Sequence, residues 1–238
     1  MNSISGKVAL ITGATGNLGS AVAFAFQKAG ARMILVGRSA ESLSRAFENL
    51  SESPDYFLIG DVDLTNEEDV REVATSAYKR FGRIDVLVNT VGTFRGGKTV
   101  HEEDMETWDF LFKINLNTTL LTCRAVIPYM IQQNSGKIIN TASRSGLLGS
   151  AGYAAYSASK SAVIRLTESL AKELTDHNIN VNCIIPGTID TPQNRQSMPD
   201  ADHSRWVAPE AIADVVLFLA SHEARSIVGV AIPVYGRS

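Results

Sequence analysis

Short apolar runs alternate with longer stretches of helical periodicity almost from one end of the chain to the other. The runs at 8–12, 32–36, 56–60, 84–89, 137–141, 180–185 and 230–234 are brief and mostly apolar, and the pattern predicts a strand at each. Between them, segments 19–30, 40–50, 67–81, 103–132, 154–177 and 209–221 carry the helical signal. Gly30 closes the first of these and Gly82 the third, as glycine commonly does beyond a helix end. Strand and helix in strict alternation imply right-handed crossovers and a parallel sheet with both faces covered. The expected fold is α/β: a Rossmann-type doubly wound parallel sheet with helices on both faces. Neither a repeat nor a linker interrupts the pattern, so one domain spanning 1–238 is expected.

Composition adds exclusions. A chain of 238 residues, 45% apolar and 20% charged, is large enough for a substantial core and ordinary for a globular protein. A net charge of -3 with no Lys/Arg block argues against nucleic acid or an anionic membrane as partner. The opening segment 1–7 is short and polar, which predicts no targeting signal, and no apolar run approaches the ~20 residues of a membrane span. Cys123 and Cys183 lie far apart in apolar surroundings, as expected of buried free thiols in a reducing cytoplasm. The four histidines show no ligand spacing, so no catalytic metal is expected. Asn117-Thr118-Thr119 matches a glycosylation sequon but falls inside a predicted helix and is set aside.

In doubly wound sheets the ligand sits beyond the carboxyl ends of the strands, so the residues just after each strand are the informative ones. After the first strand comes Thr12-Gly13-Ala14-Thr15-Gly16-Asn17-Leu18-Gly19 and then a helix. Glycines there allow a tight turn and close approach to a pyrophosphate, whose charge the helix N-terminus favours. An NAD site usually carries an acid at the end of the second strand to hold the ribose hydroxyls. Here that point reads Val36-Gly37-Arg38-Ser39. Arg38 is placed to pair with a 2′-phosphate and Ser39 to donate a hydrogen bond to it, which favours NADP(H) over NAD(H). A solvated surface arginine is the alternative. Asp61-Val62 after the third strand, and Asn89 to Gly92 after the fourth, are expected along the same crevice.

Tyr156 and Lys160 stand four residues apart in the helical segment 154–177 and so share a helix face. An ammonium near a phenol favours the phenolate, and the spacing predicts a tyrosine with a lowered pKa, suited to proton exchange with a carbonyl or alcohol oxygen.

Taken in order, the glycine stretch, Asp61-Val62, Asn89 to Gly92, Asn115, Ser143, Tyr156 with Lys160, and Pro186-Gly187 resemble the motifs of the short-chain dehydrogenase/reductase family. The resemblance runs from Ile4 to Gly236 and implies roles. Tyr156 is the general acid in carbonyl reduction and the base in alcohol oxidation, and Lys160 tunes it and binds the nicotinamide ribose. Ser143 would hydrogen-bond the substrate oxygen, with Ser145 its rival, and Asn115 would hold a water linking Lys160 to solvent, with Asn117 its rival. Pro186, Gly187, Ile189 and Thr191 belong to the segment that would cover the nicotinamide. A small-molecule carbonyl or alcohol substrate follows, together with a homo-oligomer, dimer or tetramer, built on the long helices.

The chain departs from the family pattern at Asn17, which replaces the middle glycine. Asparagine tolerates left-handed backbone, so the turn is expected to keep its shape. Thr90-Val91 also departs, replacing the usual Asn-Ala. The polar segment 190–207 is the expected substrate lid, and its wording is similar to that of dihydropteridine reductases, whereas the chain as a whole is similar to 3-oxoacyl-thioester reductases. Arg195 and Arg205 in the lid suggest an anionic substrate, with solvated arginines the equal alternative. Three readings therefore leave the sequence: a carbonyl reductase, a pterin-type reductase, and a dinucleotide sensor without turnover.

Overall fold

The computed structural model describes residues 4–50 and 52–237; Met1–Ser3 of the polar opening, and the final Ser238, lie outside them. Seven strands form one sheet: β1 (Val8–Thr12), β2 (Arg32–Val36), β3 (Tyr56–Ile59), β4 (Val86–Asn89), β5 (Gly136–Thr141), β6 (Ile179–Pro186) and β7 (Ala231–Val234). Their order is β3-β2-β1-β4-β5-β6-β7, and every adjacent pair is parallel. Chain order reverses between β1 and β4, the crevice where such sheets bind their ligands.

The helices are α1 (Asn17–Lys28), α2 (Ala40–Ala46), α3 (Glu67–Phe81), α4 (Met105–Phe112), α5 (Thr118–Gln133), α6 (Ala154–Glu173), α7 (Pro192–Ser197) and α8 (Pro209–Ala220). The period of two along each strand divides the core. Ala9, Ile11, Met33, Leu35, Val86 and Val88 pack with Val22 and Phe26 of α1 and Val216 of α8. Val8, Leu10, Ile34, Val36, Leu87 and Ile138 face the other way, toward Val73 of α3, Val126 of α5 and Leu170 of α6. Cys123 and Cys183 are free and buried, and burial pushes their thiols up to about 12 and about 11.

The expected helix over 103–132 is not continuous. It starts at Met105 behind an Asp104 cap, then widens into a π-turn over Lys113–Asn117 before α5 begins. Helical periodicity does not distinguish a π-turn from α-helix, because the inserted residue shifts the apolar stripe only locally. The expected helices over 40–50 and 154–177 both end in separate 3-10 turns, at Glu48–Leu50 and Thr175–His177. The lid, read as a polar segment without periodicity, contains α7, which begins at Pro192 behind a Thr191 cap.

A polar rung crosses the sheet one residue below the crevice. Thr12, Asn89, Asn140 and Cys183 are successive cross-strand partners. Asn89 Nδ2 donates to Asn140 Oδ1 at 3.0 Å, and Asn140 Nδ2 donates to Thr167 Oγ1 of α6 at 3.0 Å. Thr122 Oγ1 of α5 donates to Asn89 Oδ1 at 2.8 Å. Asn140 is fully buried, so Asn140→Leu removes the oxygen acceptor of Asn89 Nδ2, which keeps only the weaker Cys123 Sγ at 3.6 Å, and takes the donor from Thr167, a cost of about 1–3 kcal/mol. The expected melting temperature is lower by roughly 2–10 °C, read by circular dichroism; an unchanged melt would show that the rung does not stabilise the fold.

Candidate active site

The turn after β1 is shaped by contacts that exclude side chains. Gly13 has φ 65, in the left-handed region, and a Cβ on it would fall 2.9 Å from Val91 Cγ2. A Cβ on Gly19 would fall 2.1 Å from the Gly13 carbonyl oxygen, so α1 lies directly against the turn. Gly16 caps α1 without a side chain, and no acidic residue occupies the first helical turn. The helix start is therefore left open to an anion. Gly19→Ala is expected to force the turn apart at about 1–3 kcal/mol, measured as weaker NADPH binding by fluorescence titration; unchanged affinity would count against this turn as the diphosphate site.

Other candidates behave differently from expectation. Asn17 has no positive φ; it is the first residue of α1, so its left-handed tolerance is not called upon. Its side chain instead donates from Nδ2 to Gln193 Oε1 of α7 at 3.0 Å, joining the glycine turn to the lid. Thr15 is exposed beside the turn, but Leu18 and Val62 bury their side chains in the two core clusters, leaving only their backbones to the crevice. Asn89 likewise turns its amide into the polar rung. Asp61, at φ 57, accepts from the Ala40 N–H at 3.1 Å and so braces the start of α2. Ser39 caps that helix, its Oγ accepting from Ser42 N–H at 3.1 Å, which leaves the hydroxyl proton free to donate outward. Between these two braces Arg38 is exposed, and among the described residues no carboxylate pairs with it.

The acid/base candidates do converge. Ser143 follows β5 at the head of the 3-10 turn Arg144–Gly146, and its hydroxyl lies close enough to the Tyr156 phenol of α6 to act on its pKa. Its rival Ser145 contributes only its backbone, donating N–H to Ser143 Oγ at 3.3 Å. Lys160 lies one turn below Tyr156, 3% exposed, with Nζ donating to the Thr141 carbonyl at 3.0 Å. A Cβ on Gly92 would come within 2.9 Å of Nζ and 3.3 Å of Asn115 Oδ1, so a side chain there would displace the ammonium. Asn115, in the π-turn, is fully buried, accepts from Thr93 N–H at 2.8 Å and donates to Ser159 Oγ at 3.0 Å. It thereby ties the β4 exit to α6. Its rival Asn117 makes no such bridge and ends the π-turn.

The expected lowering of the Tyr156 pKa is not found in the ligand-free chain. Burial raises the phenol above its ordinary value, and the nearby Ser143 hydroxyl offsets this only in part. Burial also lowers Lys160 to about 8, against a smaller opposing pull from Cys183. The unfolded chain thus holds the Lys160 proton more tightly, and burying the ammonium destabilises the fold below about pH 8. Lys160→Met is expected to stabilise the protein at pH 7 by on the order of 1–4 kcal/mol. Since the wild-type penalty fades between pH 8 and 10.5, so does the gain. Chemical denaturation at pH 7 and pH 10 checks the sign; a variant less stable at pH 7 would overturn it.

Toward the lid, Pro186 ends β6, Gly187 N–H donates to Val234 O at 3.1 Å, and Ile189 bridges to Val207. Thr191 accepts from Asn194 N–H at 3.1 Å to cap α7. Arg195 pairs with Asp190 through two hydrogen bonds of 2.5 and 2.7 Å at the exposed surface of the lid. Arg205 donates from Nε to the Arg237 carbonyl at 3.1 Å.

The family model for short chain dehydrogenases matches residues 7–202. The chain belongs to the short-chain dehydrogenase/reductase family. It is 36% identical over 244 aligned positions to 3-oxoacyl-[acyl-carrier-protein] reductase FabG of Thermotoga maritima, covering 98% of each chain. An uncharacterized oxidoreductase of Staphylococcus haemolyticus is 34% identical over 94% of this chain and 95% of its own. Among solved structures, gox2181 superposes with a TM-score of 0.92 at 31% identity, covering 99% of this chain and 96% of its own. ElxO with NADP bound superposes with a TM-score of 0.89 at 26% identity, covering 97% and 98%. This short-chain dehydrogenase/reductase is accordingly an NAD(P)-dependent oxidoreductase acting on a small molecule. Among the described residues, no helix is long and apolar enough to cross a membrane.

Proposed function

We propose that the chain is an NADPH-dependent carbonyl reductase using Ser143, Tyr156, Lys160 and Asn115, with a 3-oxoacyl thioester or a small ketone as substrate. The observation that carries this reading is the placing of the Ser143 hydroxyl beside the Tyr156 phenol, over a buried Lys160. Two hydroxyls at one point can both donate to a carbonyl oxygen and stabilise the negative charge that develops there. Tyr156 then passes its proton to that oxygen as general acid. Lys160, held on the same helix face, supplies positive charge against the phenolate left behind. Asn115 is a positioning residue: through Thr93 and Ser159 it holds the β4 exit and α6 in register around Lys160.

The glycine turn, the open start of α1 and the braced Arg38 fit a phosphorylated dinucleotide, which supplies the hydride when bound. Arg38, exposed and without a carboxylate partner among the described residues, together with the hydroxyl proton of Ser39, supports NADP(H) over NAD(H). The relative ElxO, solved with NADP bound, supports the same choice. The pterin reading rests on the wording of the lid alone, and the anionic substrate suggested by Arg195 and Arg205 is weakened because both arginines have partners within the chain. The sensor reading needs no acid/base pair, and the nearness of Ser143 to Tyr156 supports the reductase over it. We infer also that the chain self-associates as a dimer or tetramer through α5 and α6, as its family resemblance implies.

The test is NADPH oxidation against a 3-oxoacyl thioester, a small ketone and a quinonoid dihydropterin, with NADH in parallel. Turnover of the thioester or ketone is expected. Turnover of the dihydropterin alone would replace this reading with the pterin one, and NADPH binding without any turnover would favour the sensor.

A further inference from the structure

An aromatic cluster at the rim of the site takes no part in the proton chemistry. The chain leaving β4 bends back over Tyr156, and Phe94 sets its ring edge-on to the phenol, centroids 5.0 Å apart at 84°. The same ring meets Tyr153 at 5.0 Å and 79°. Two glycine contacts hold the segment in place. Gly97 N–H donates to the Gly152 carbonyl at 2.8 Å. A Cβ on Gly96 would fall 2.9 Å from both Gly152 O and Tyr153 Cδ1. Gly97 and Gly152 both have left-handed backbone, at φ 115 and φ 75. Yet Phe94 is 52% exposed and Tyr153 38%. Arg95, the next residue, stacks over the Phe110 ring at 3.6 Å, so its guanidinium is already engaged beside the cluster.

Aromatic rings held by their neighbours while half exposed offer contact area at little entropic cost, and they favour a flat partner that can stack or meet them edge-on. Resting on the carbonyl-reductase reading of the site, we propose that Phe94 and Tyr153 form a specificity-determining wall. It selects carbonyl compounds whose carbonyl carbon bears an aryl or conjugated group over those bearing an unbranched alkyl chain, which narrows the two proposed substrate classes to the small ketone and away from the 3-oxoacyl thioester.

The experiment compares acetophenone with 2-octanone in two ways: kcat/KM with NADPH, and binding to NADP-saturated protein by calorimetry. Wild type, Phe94→Leu and Tyr153→Leu are measured side by side. The wild type is expected to prefer acetophenone in both measurements. Phe94→Leu, which keeps apolar bulk but removes the ring, is expected to lower the aryl-to-alkyl ratio about five-fold. A ratio unchanged in both variants, or a wild-type preference for 2-octanone, would overturn the proposal. Absence of turnover with either ketone and with the thioester would instead remove the reductase reading, while the binding ratio would still decide the wall. Phe94→Leu and Tyr153→Leu are independent variants, so misfolding of one leaves the other to decide.

Discussion

Tyr156→Phe is expected to lower kcat for carbonyl reduction by about 10²–10⁴-fold, the usual contribution of a positioned general acid. The substitution removes one oxygen and leaves the ring, so the edge-on contact with Phe94 and the packing of α6 persist. What disappears is the hydroxyl beside Ser143, and with it the transferable proton. Steady-state rates at saturating NADPH measure the loss, and a melting curve establishes that the fold is intact. A variant keeping a tenth or more of the wild-type rate would show that the proton comes from elsewhere.

The pH dependence sharpens this prediction. Because burial holds the phenol above its ordinary value, Tyr156 keeps its proton throughout the neutral range. Reduction needs the phenol and oxidation needs the phenolate. In the free enzyme, reduction is therefore expected to be flat across neutral pH and to fall in alkali, while oxidation rises there. Lys160, lowered to about 8, loses its ammonium first, and with it the charge that stabilises the phenolate product. The alkaline fall in reduction should begin near pH 8 in the wild type, and that limb should be absent from Lys160→Met.

Arg38→Glu is expected to reverse the cofactor preference. An arginine–phosphate contact is charge-assisted and contributes about 1.5–3 kcal/mol, which corresponds to roughly 10- to 150-fold in affinity. Glutamate removes that contact, repels a 2′-phosphate, and places an acceptor where ribose hydroxyls donate. The ratio of kcat/KM for NADPH over NADH should fall by about 100-fold or more. Arg38 is exposed at the end of β2 and makes no ion pair among the described residues, so the change should leave the melting temperature nearly unmoved. An unchanged ratio would mean that Arg38 is only a solvated surface charge.

Much of the fold was legible because its signals are local. Each of the seven strands contains a short apolar run, and α3 begins and ends at Glu67 and Phe81 as its Asn66 and Gly82 caps imply. Element ends were less legible where a 3-10 turn follows a helix without a break in composition, as after α2 and α6. The π-turn at Lys113–Asn117 left no trace in the periodicity, although it carries Asn115. The Tyr156–Lys160 spacing marked the right helix but not its electrostatics. Nζ points at the Thr141 carbonyl, a strand away, and burial outweighs helical proximity.

By itself, then, the sequence determined the order of strands and helices, the glycine turn at the head of α1 and the residues offered to proton chemistry. These follow from backbone sterics and side-chain spacing within a few residues. Only the tertiary structure decided which of those residues face the site. It turned Asn89 inward, set the exposed Asp61 against the start of α2, left Arg38 without an ion pair among the described residues, tied Asn17 to Gln193, and set Phe94 against Tyr156. Such contacts join residues far apart along the chain, 176 positions in the case of Asn17 and Gln193. Whether a polar side chain meets a protein partner or remains free for a ligand depends on what packing brings beside it, and local pattern does not encode that.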